Sequence, residues 1–221
     1  MLRRHDLLRP GPAAWDAVLR RRPELADVPL VADWARLGRP VIVRRRMAGD
    51  GADDVPAALP LPPSHGKRRI ALSFPPGAAL TALPPVLLRD AAPAAPAAWQ
   101  PVIAALSEFG EGAGMAPCVF GALLWEHATG LPYLTAGSDL DLLWQVPDEA
   151  AAGPLIRTLL RLDARGPVRL DGELVLPDGA GVNWRELAQA DGPAATVLAK
   201  AMHGVEARPK AGLFRALVPA Q

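Results

Sequence analysis

The sequence predicts an α/β (α+β) protein, with a mixed sheet and helices in its C-terminal part and a smaller α/β domain before it. In the C-terminal part, apolar residues at helical spacing alternate with short apolar runs typical of strands. Hydrophobic residues make up 50% of the 221, enough for the core of one large domain or two small ones. The segment 84–101 is rich in alanine and proline and resembles a linker. We therefore divide the chain into an N-terminal domain, 1–88, and a C-terminal domain, 89–221.

Bulk properties exclude several classes of protein. The formal net charge of +1 lacks the large basic excess of a protein that coats nucleic acid. No run approaches the roughly eighteen apolar residues of a membrane span. Near the N-terminus, Arg9, Pro10 and Pro12 interrupt any apolar region, which argues against a signal peptide. The single cysteine, Cys118, excludes an internal disulfide. We therefore expect a cytoplasmic protein with neither a membrane nor a nucleic-acid partner.

Three elements are predicted in the N-terminal domain. Pro12–Arg21 has the spacing of a helix, with Pro12 in its first turn. Val41–Val43 is predicted as a strand that runs into the basic residues Arg44, Arg45 and Arg46. Residues 67–74 alternate as a second strand, which Pro75 and Pro76 terminate.

The C-terminal domain has a denser succession of elements. Helices are predicted at 99–109, closed by Gly110, at 121–127, ended by Gly130, and at 149–162, 184–187 and 194–202. A strand is predicted at 139–144, and a pair of short strands at 168–176 is predicted to form a tight hairpin around Asp171 and Gly172. The tail, 205–218, carries no clear pattern.

The residues that point to chemistry are Asp139 and Asp141. Alternate side chains of a strand share a face, so these two carboxylates point the same way while Leu140 and Leu142 turn toward the core. Two such charges repel each other at neutral pH unless a cation lies between them. Mg²⁺, or Mn²⁺ in its place, is the usual cation for a carboxylate pair when phosphates complete its shell. The pattern therefore indicates metal-dependent phosphoryl transfer, with Asp139 and Asp141 as catalytic metal ligands.

Asp-x-Asp also occurs as an ordinary turn or helix cap. Its flanks favour the metal site, because Gly137 and Ser138 precede the pair and Leu142-Leu143-Trp144 after it demand burial. An isolated charge pair beside a core is costly without a compensating ligand.

Phosphate-binding and further acidic residues are predicted around the pair. Gly121, between a strand-like run and a helix, allows backbone N–H groups and a positive helix end to approach phosphate oxygens. Ser138 adds a hydroxyl. A third carboxylate is expected from a neighbouring strand, either Asp171 or Glu173. Glu173 is slightly preferred as a catalytic residue, because it lies in an apolar strand whereas Asp171 has ordinary turn chemistry.

Basic residues of the N-terminal domain are candidates for contact with an anionic ligand. Lys67 and Arg69 would share one face of a strand, and the run Arg44, Arg45 and Arg46 follows another. Basic runs are more often solvated surface.

Longer stretches of the chain match a known family. They are Val119-Phe120-Gly121, Thr129-Gly130-Leu131-Pro132-Tyr133-Leu134, Gly137-Ser138-Asp139-Leu140-Asp141-Leu142-Leu143, His5-Asp6-Leu7-Leu8, Leu59-Pro60-Leu61-Pro62-Pro63, Gly66-Lys67-Arg68-Arg69-Ile70, Asp171-Gly172-Glu173-Leu174 and Asn183-Trp184-Arg185-Glu186. Together they resemble the phosphoribosyl-dephospho-CoA transferase of malonate decarboxylase, also called its holo-acyl-carrier-protein synthase. The resemblance covers most of the chain.

This resemblance implies a fold and an activity. The catalytic half would be nucleotidyltransferase-like, with Asp139 and Asp141 in the Asp-x-Asp motif of that superfamily. The N-terminal domain would be an accessory domain that helps to bind substrate. The enzyme would take 2′-(5″-triphosphoribosyl)-3′-dephospho-CoA, attach its phosphoribosyl-dephospho-CoA group to a serine of the malonate decarboxylase acyl-carrier protein and release pyrophosphate.

The chain departs from the superfamily pattern in two ways. Ala122 follows Gly121 where serine or glycine is usual, and the stretch from Gly121 to Asp139 is longer than usual. Two other functions remain open: an adenylyl-type nucleotidyltransferase that acts on a small molecule or a protein, and a non-catalytic binding module of the same fold.

Overall fold

The computed structural model describes residues 2–192 and 194–215. The chain divides into two compact units, the first made of Met1–Pro85 and Ala128–Tyr133, the second of Val86–His127 and Leu134–Gln221. Each unit has its own sheet together with helices. The predicted α+β fold class is thereby confirmed.

The first unit contains a five-stranded antiparallel sheet. Its strands are β1 (Leu7–Pro10), β2 (Val41–Val43), β3 (Val55–Pro60), β4 (Arg69–Phe74) and β5 (Leu80–Leu83), in the order β4-β3-β2-β1-β5. Helix α1 (Pro12–Arg21) begins with a proline, which is suited to a first turn, and buries Trp15 and Val18. The predictions of α1 and β2 are confirmed, and β4 begins two residues later than predicted.

The second unit contains a six-stranded mixed sheet. Its strands are β6 (Cys118–Val119), β7 (Leu140–Gln145), β8 (Leu170–Val175), β9 (Gly181–Asn183), β10 (Thr196–Lys200) and β11 (Val205–Pro209), in the order β11-β10-β9-β8-β7-β6. Strands β7 and β8 are parallel, and the other neighbours are antiparallel.

The helices of this part of the chain are α2 (Leu88–Ala91), α3 (Gln100–Gly112), α4 (Gly121–Thr129), α5 (Glu149–Asp163) and α6 (Trp184–Gln189). Helix α5 makes the crossover between the parallel strands, which no tight turn can join. The Asp148 side chain caps its start by accepting from the Ala151 N–H at 2.8 Å. The predictions of α4, α5 and α6 are confirmed. No described helix combines the length and the hydropathy of a membrane span.

The two faces of β7 differ in character. Leu140, Leu142 and Trp144 are fully buried on one face, where Phe109 of α3 meets Trp144 edge-on with ring centroids 6.1 Å apart. Asp141 and Leu143 alternate with them and lie on the opposite face. This second face, which we call the polar face, positions the candidate site.

The predicted hairpin at Asp171 and Gly172 is wrong, because both residues lie inside the single strand β8. Gly172 has φ +140°, and a Cβ there would lie 1.9 Å from the Leu142 carbonyl oxygen. The glycine thus allows close approach of two parallel strands. Asp-Gly is also a preferred sequence of tight hairpin turns, so these two residues by themselves do not distinguish a turn from the interior of a strand.

The predicted helix at 194–202 is also wrong, because strand β10 occupies this segment. Val197 and Ala199 are buried, whereas Thr196 and Leu198 are exposed, which is the alternation of a half-buried strand. Pairing with β9 on one side and β11 on the other outweighs the helical preference of its alanines.

The segment 84–101 is not the linker that its composition indicates. Helix α2 and the 3-10 turns Ala92–Ala94 and Ala97–Trp99 follow one another there. Leu88 and Trp99 are buried, so residues 86–101 contribute to the core of the second unit.

Gly110 does not close α3, which continues to Gly112. A Cβ at Gly110 would lie 2.6 Å from Pro117 Cδ and 3.3 Å from the Trp144 ring. The glycine serves close packing within the helix rather than its termination.

Candidate active site

Three carboxylates lie on the polar face of the second sheet. The parallel register of β7 and β8 aligns Asp141 with Asp171, and Leu143 with Glu173. Aligned residues of neighbouring strands point to the same side, so Asp141, Asp171 and Glu173 share this face. Asp139 immediately precedes β7, two residues before Asp141.

Asp141 is fixed against the first residue of α4. A Cβ built on Gly121 would lie 1.8 Å from Asp141 Oδ2, so the carboxylate occupies the space that a side chain would need. Gly121 also has φ +66°, in the left-handed region that favours glycine. The Phe120 N–H donates to the Asp141 carbonyl oxygen at 3.1 Å. The absence of a side chain at Gly121 therefore leaves the space that the Asp141 carboxylate occupies. The carboxylate lies near the positive end of a helix dipole.

Asp139 is engaged by an arginine that sequence reasoning missed. Arg169 Nη1 donates to Asp139 Oδ2 at 2.6 Å. Arg169 lies two residues before Asp171, as Asp139 lies two before Asp141, and the Leu140 N–H donates to the Arg169 carbonyl at 2.9 Å. The sequence shows both spacings but not the parallel pairing that brings the two residues together.

Asp171 is the carboxylate beside Asp141. Its Oδ1 accepts from Asn183 Nδ2 at 3.0 Å and from the Gly172 N–H at 2.8 Å. Since Asp171 belongs to a strand and not to a turn, the reason for preferring Glu173 over it no longer applies.

Glu173 is buried and ion-paired. Its side chain is 7% exposed, and its Oε1 lies 3.0 Å from Lys200 Nζ. It is aligned with Leu143 and Asn183, two residues further along the strands than the Asp141–Asp171 pair. Its pairing with Lys200 gives it a clear structural role.

The Ser138 hydroxyl closes the turn that leads into β7. Its Oγ accepts from the Thr135 N–H at 2.9 Å, while the Ser138 N–H donates to the Thr135 carbonyl at 3.0 Å. This arrangement shapes the approach to Asp139. A phosphate contact by Ser138 stays a prediction.

A cavity of about 470 Å³ adjoins Asp139 and Arg169. Besides this ion pair, its lining consists of Pro96, Trp99, Leu134, Thr135, Ala136, Gly137, Ser138, Pro167 and Val168. The walls are mostly apolar, and the charged pair is part of the lining. Such a cavity suits an organic ligand that carries charge at one end.

Cys118 is aligned with Leu143 of β7. Burial raises the pKa of its thiol, so the thiolate is disfavoured further at neutral pH. The site therefore offers oxygen rather than sulfur ligands.

The donor set suits a cation that a substrate helps to hold. Among the described residues, no three histidine, cysteine, aspartate or glutamate side chains are gathered to hold a metal ion by themselves. Mg²⁺ in phosphoryl-transfer sites is bound through one or two carboxylates, with phosphates and waters completing its shell. Asp139 and Asp141 are the two carboxylates that the sequence predicts for this role.

Lys67 and Arg69 belong to the first unit and are both exposed. Lys67 has φ +50° and follows Gly66 at φ +84°, so it lies in a left-handed turn before β4. The strand alternation that would place both side chains on one face therefore does not extend to Lys67.

Arg44, another basic candidate of the first unit, is occupied within its own loop. It pairs through two nitrogens with Asp50, at 2.7 and 2.6 Å, and this guanidinium lowers the pKa of the Asp50 carboxyl. Arg44 thus has a structural role that sequence reasoning did not identify.

Comparison with known proteins gives consistent matches over nearly the whole chain. The family models "Phosphoribosyl-dephospho-CoA transferase MdcG N-terminal domain" and "C-terminal domain" match residues 3–85 and 87–211. Curated phosphoribosyl-dephospho-CoA transferases are similar: that of Bradyrhizobium diazoefficiens is 38% identical over 202 residues, 91% of this chain and 88% of the relative. Those of Xanthomonas campestris pv. campestris and Xanthomonas axonopodis pv. citri are also 38% identical, covering 84% and 92% of this chain and 86% and 92% of each relative. No solved structure matches.

The α+β fold, the carboxylates on one sheet face and these matches define an enzyme of the transferase class. The chain belongs to the phosphoribosyl-dephospho-CoA transferase family.

Proposed function

We propose that this chain joins the phosphoribosyl-dephospho-CoA group of 2′-(5″-triphosphoribosyl)-3′-dephospho-CoA to a serine of the malonate decarboxylase acyl-carrier protein, releasing pyrophosphate. Family membership supports the transferred group. The observation that best supports the chemistry is the position of Asp141 on the polar face, where its carboxylate occupies the space that a side chain at Gly121 would need.

Asp139 and Asp141 would hold Mg²⁺ or Mn²⁺ together with the triphosphate. Such a cation neutralises charge on the transferred phosphoryl group and on the departing pyrophosphate. The protein contributes mainly position, since Asp141 is held between β7 and the start of α4. Backbone N–H groups of the first turn of α4 are suited to phosphate oxygens, which compensates for the missing hydroxyl at Ala122.

The bonds exchanged are those of a phosphodiester synthesis. The serine oxygen forms a bond to the phosphorus nearest the ribose, and the bond from that phosphorus to pyrophosphate breaks with its electron pair. The serine proton passes to a carboxylate that acts as general base. We favour Asp171 over Glu173 for this role, because Asp171 is aligned with Asp141 and its two hydrogen bonds engage Oδ1 rather than Oδ2.

Mass spectrometry of the acyl-carrier protein tests the proposal. The purified chain is incubated with acceptor, Mg²⁺ and either the triphosphoribosyl donor or ATP, and pyrophosphate is measured in parallel. We expect a mass gain equal to the phosphoribosyl-dephospho-CoA group and one pyrophosphate per transfer. Asp141→Asn is expected to lower the rate about a thousandfold, since a metal ligand contributes several kcal/mol.

Asp90→Asn is the matched control. Asp90 is an exposed aspartate of α2, and its ion pair with Arg89 is long, at 3.7 Å, and exposed. This variant should keep the wild-type rate. Near-normal transfer by Asp141→Asn would refute the mechanism. A mass gain of AMP with ATP would indicate an adenylyl-type enzyme instead. Absence of Mn²⁺ binding in the presence of a triphosphate would favour the non-catalytic binding module.

A further inference from the structure

The ion pair of Asp139 and Arg169 lies at the edge of the candidate site. Both residues line the 470 Å³ cavity, and their side chains are 30% and 57% exposed. The guanidinium thus holds a carboxylate that the proposed function assigns to a cation. Because both are positively charged, a guanidinium and a divalent cation that approach the same carboxylate repel each other and therefore compete for it.

This pair differs from Arg185, an arginine of the same unit that has a structural role. Arg185, whose side chain is 24% exposed, pairs with Asp163 and also donates to the Leu170 carbonyl from both Nε and Nη2. An exposed pair such as Arg169 with Asp139 contributes little to folding. Its position beside the cavity is therefore better explained by ligand binding than by stability.

We propose that Arg169 is a phosphate-binding residue that pairs with Asp139 in the free protein and transfers to a phosphate oxygen of the donor when polyphosphate and divalent cation bind. This inference rests on the proposed function. The planar guanidinium suits two phosphate oxygens as well as it suits a carboxylate. The exchange of partners keeps every charge compensated, since Asp139 loses an arginine and gains a cation while Arg169 loses a carboxylate and gains a phosphate.

The proposal has opposite consequences for two ligands. Without Arg169, a cation alone no longer competes with the guanidinium for Asp139, so Mn²⁺ should bind more tightly. Polyphosphate loses a charge-assisted hydrogen bond and should bind more weakly. A residue that only orients Asp139 would weaken both, which separates a structural role from phosphate binding.

Calorimetry on the full chain measures both affinities without catalysis. One titration uses Mn²⁺ alone, and the other uses inorganic tripolyphosphate in the presence of Mg²⁺. For Arg169→Ala we expect Mn²⁺ affinity to rise about two- to fivefold, the worth of an exposed pair, and tripolyphosphate affinity to fall about tenfold or more. Arg169→Lys, which retains the charge but not the planar fork, should lie between Arg169→Ala and wild type.

Arg89→Ala is the matched control, since Arg89 is 54% exposed and pairs with Glu111 at 3.1 Å in the same unit. It should change neither affinity. If Arg169→Ala lowers both affinities or leaves both unchanged, the proposal is overturned, while loss of transfer in Asp141→Asn would still support the proposed function. If the wild-type chain itself does not bind Mg²⁺ and tripolyphosphate, the proposed function and this inference both fail.

Discussion

Gly121 and Asp141 form one structural unit although twenty positions separate them in the chain. A Cβ at residue 121 would lie 1.8 Å from Asp141 Oδ2. The position of this carboxylate therefore requires glycine at residue 121. The left-handed backbone of Gly121, at φ +66°, adds a second requirement for glycine. The contact orients the carboxylate on which the proposed chemistry depends.

Gly121→Ala and Gly130→Ala separate these two requirements. Gly130 at the other end of α4 has φ +69°, and a Cβ there would meet nothing within 4 Å. Both variants should lose about 1–2 kcal/mol of unfolding free energy through backbone strain. Only Gly121→Ala should also displace Asp141 and lower transfer about a hundredfold. Urea unfolding and steady-state kinetics measure the two effects, and equal activity of the variants would contradict the proposed contact.

At the scale of elements, the parallel pair β7 and β8 assembles the polar face. Its register places Asp171 beside Asp141 and Glu173 beside Leu143. Gly172 permits this pairing, since any side chain there would meet the Leu142 carbonyl. The two strands therefore give the neighbouring acids of β8 different surroundings: hydrogen bonds from Asn183 and Gly172 for Asp171, and a lysine for Glu173.

Asp171→Asn and Glu173→Gln should have contrasting effects. For Asp171→Asn we expect a loss of transfer of about a hundredfold or more, with the unfolding free energy within about 1 kcal/mol of wild type. Glu173→Gln breaks a largely buried ion pair with Lys200, so it should cost about 1–3 kcal/mol of stability. Transfer by its folded fraction should stay within tenfold of wild type. The reverse pattern would return the role of general base to Glu173.

At the scale of the whole molecule, charge is nearly balanced. The formal net charge is +1, so overall charge attracts a polyanionic donor only weakly and local groups must bind its phosphates. In the second unit we assign this role to Arg169 and the start of α4. In the first unit, Lys67 and Arg69 stay predicted donor-binding residues.

Charge reversal tests the basic residues of the first unit. The double change Lys67→Glu and Arg69→Glu should raise KM for the triphosphoribosyl donor about tenfold or more and leave kcat unchanged, the signature of lost ground-state binding. Arg36→Glu is the control, because Arg36 is an exposed arginine of the same unit. It forms an ion pair of 3.2 Å with Asp33, which is also exposed. An unchanged KM in the double variant would show that Lys67 and Arg69 are solvated surface.

Local pattern was sufficient for elements whose preferences agree with their surroundings. Helices α1, α4, α5 and α6 were predictable because their apolar spacing and terminal residues agreed with their burial. Strand β2 was predictable because all three of its residues are β-branched. Local pattern failed where long-range pairing prevailed over composition: Asp171 and Gly172 read as a turn, and 194–202 as a helix, until neighbouring strands are known. The short strands β6 and β9 have too few residues to show any period.

The sequence by itself determined the α+β class and the family. It also predicts that Asp139 and Asp141 share one side of a strand, because alternation within a strand is a local property; in the structure Asp141 lies in β7 and Asp139 immediately precedes it. Only the tertiary structure decided that Asp171 is aligned with Asp141, that Arg169 forms an ion pair with Asp139 and that the Asp141 carboxylate contacts Gly121. These contacts join residues twenty to thirty positions apart. They depend on the register of strands and the start of a helix, which no local pattern encodes.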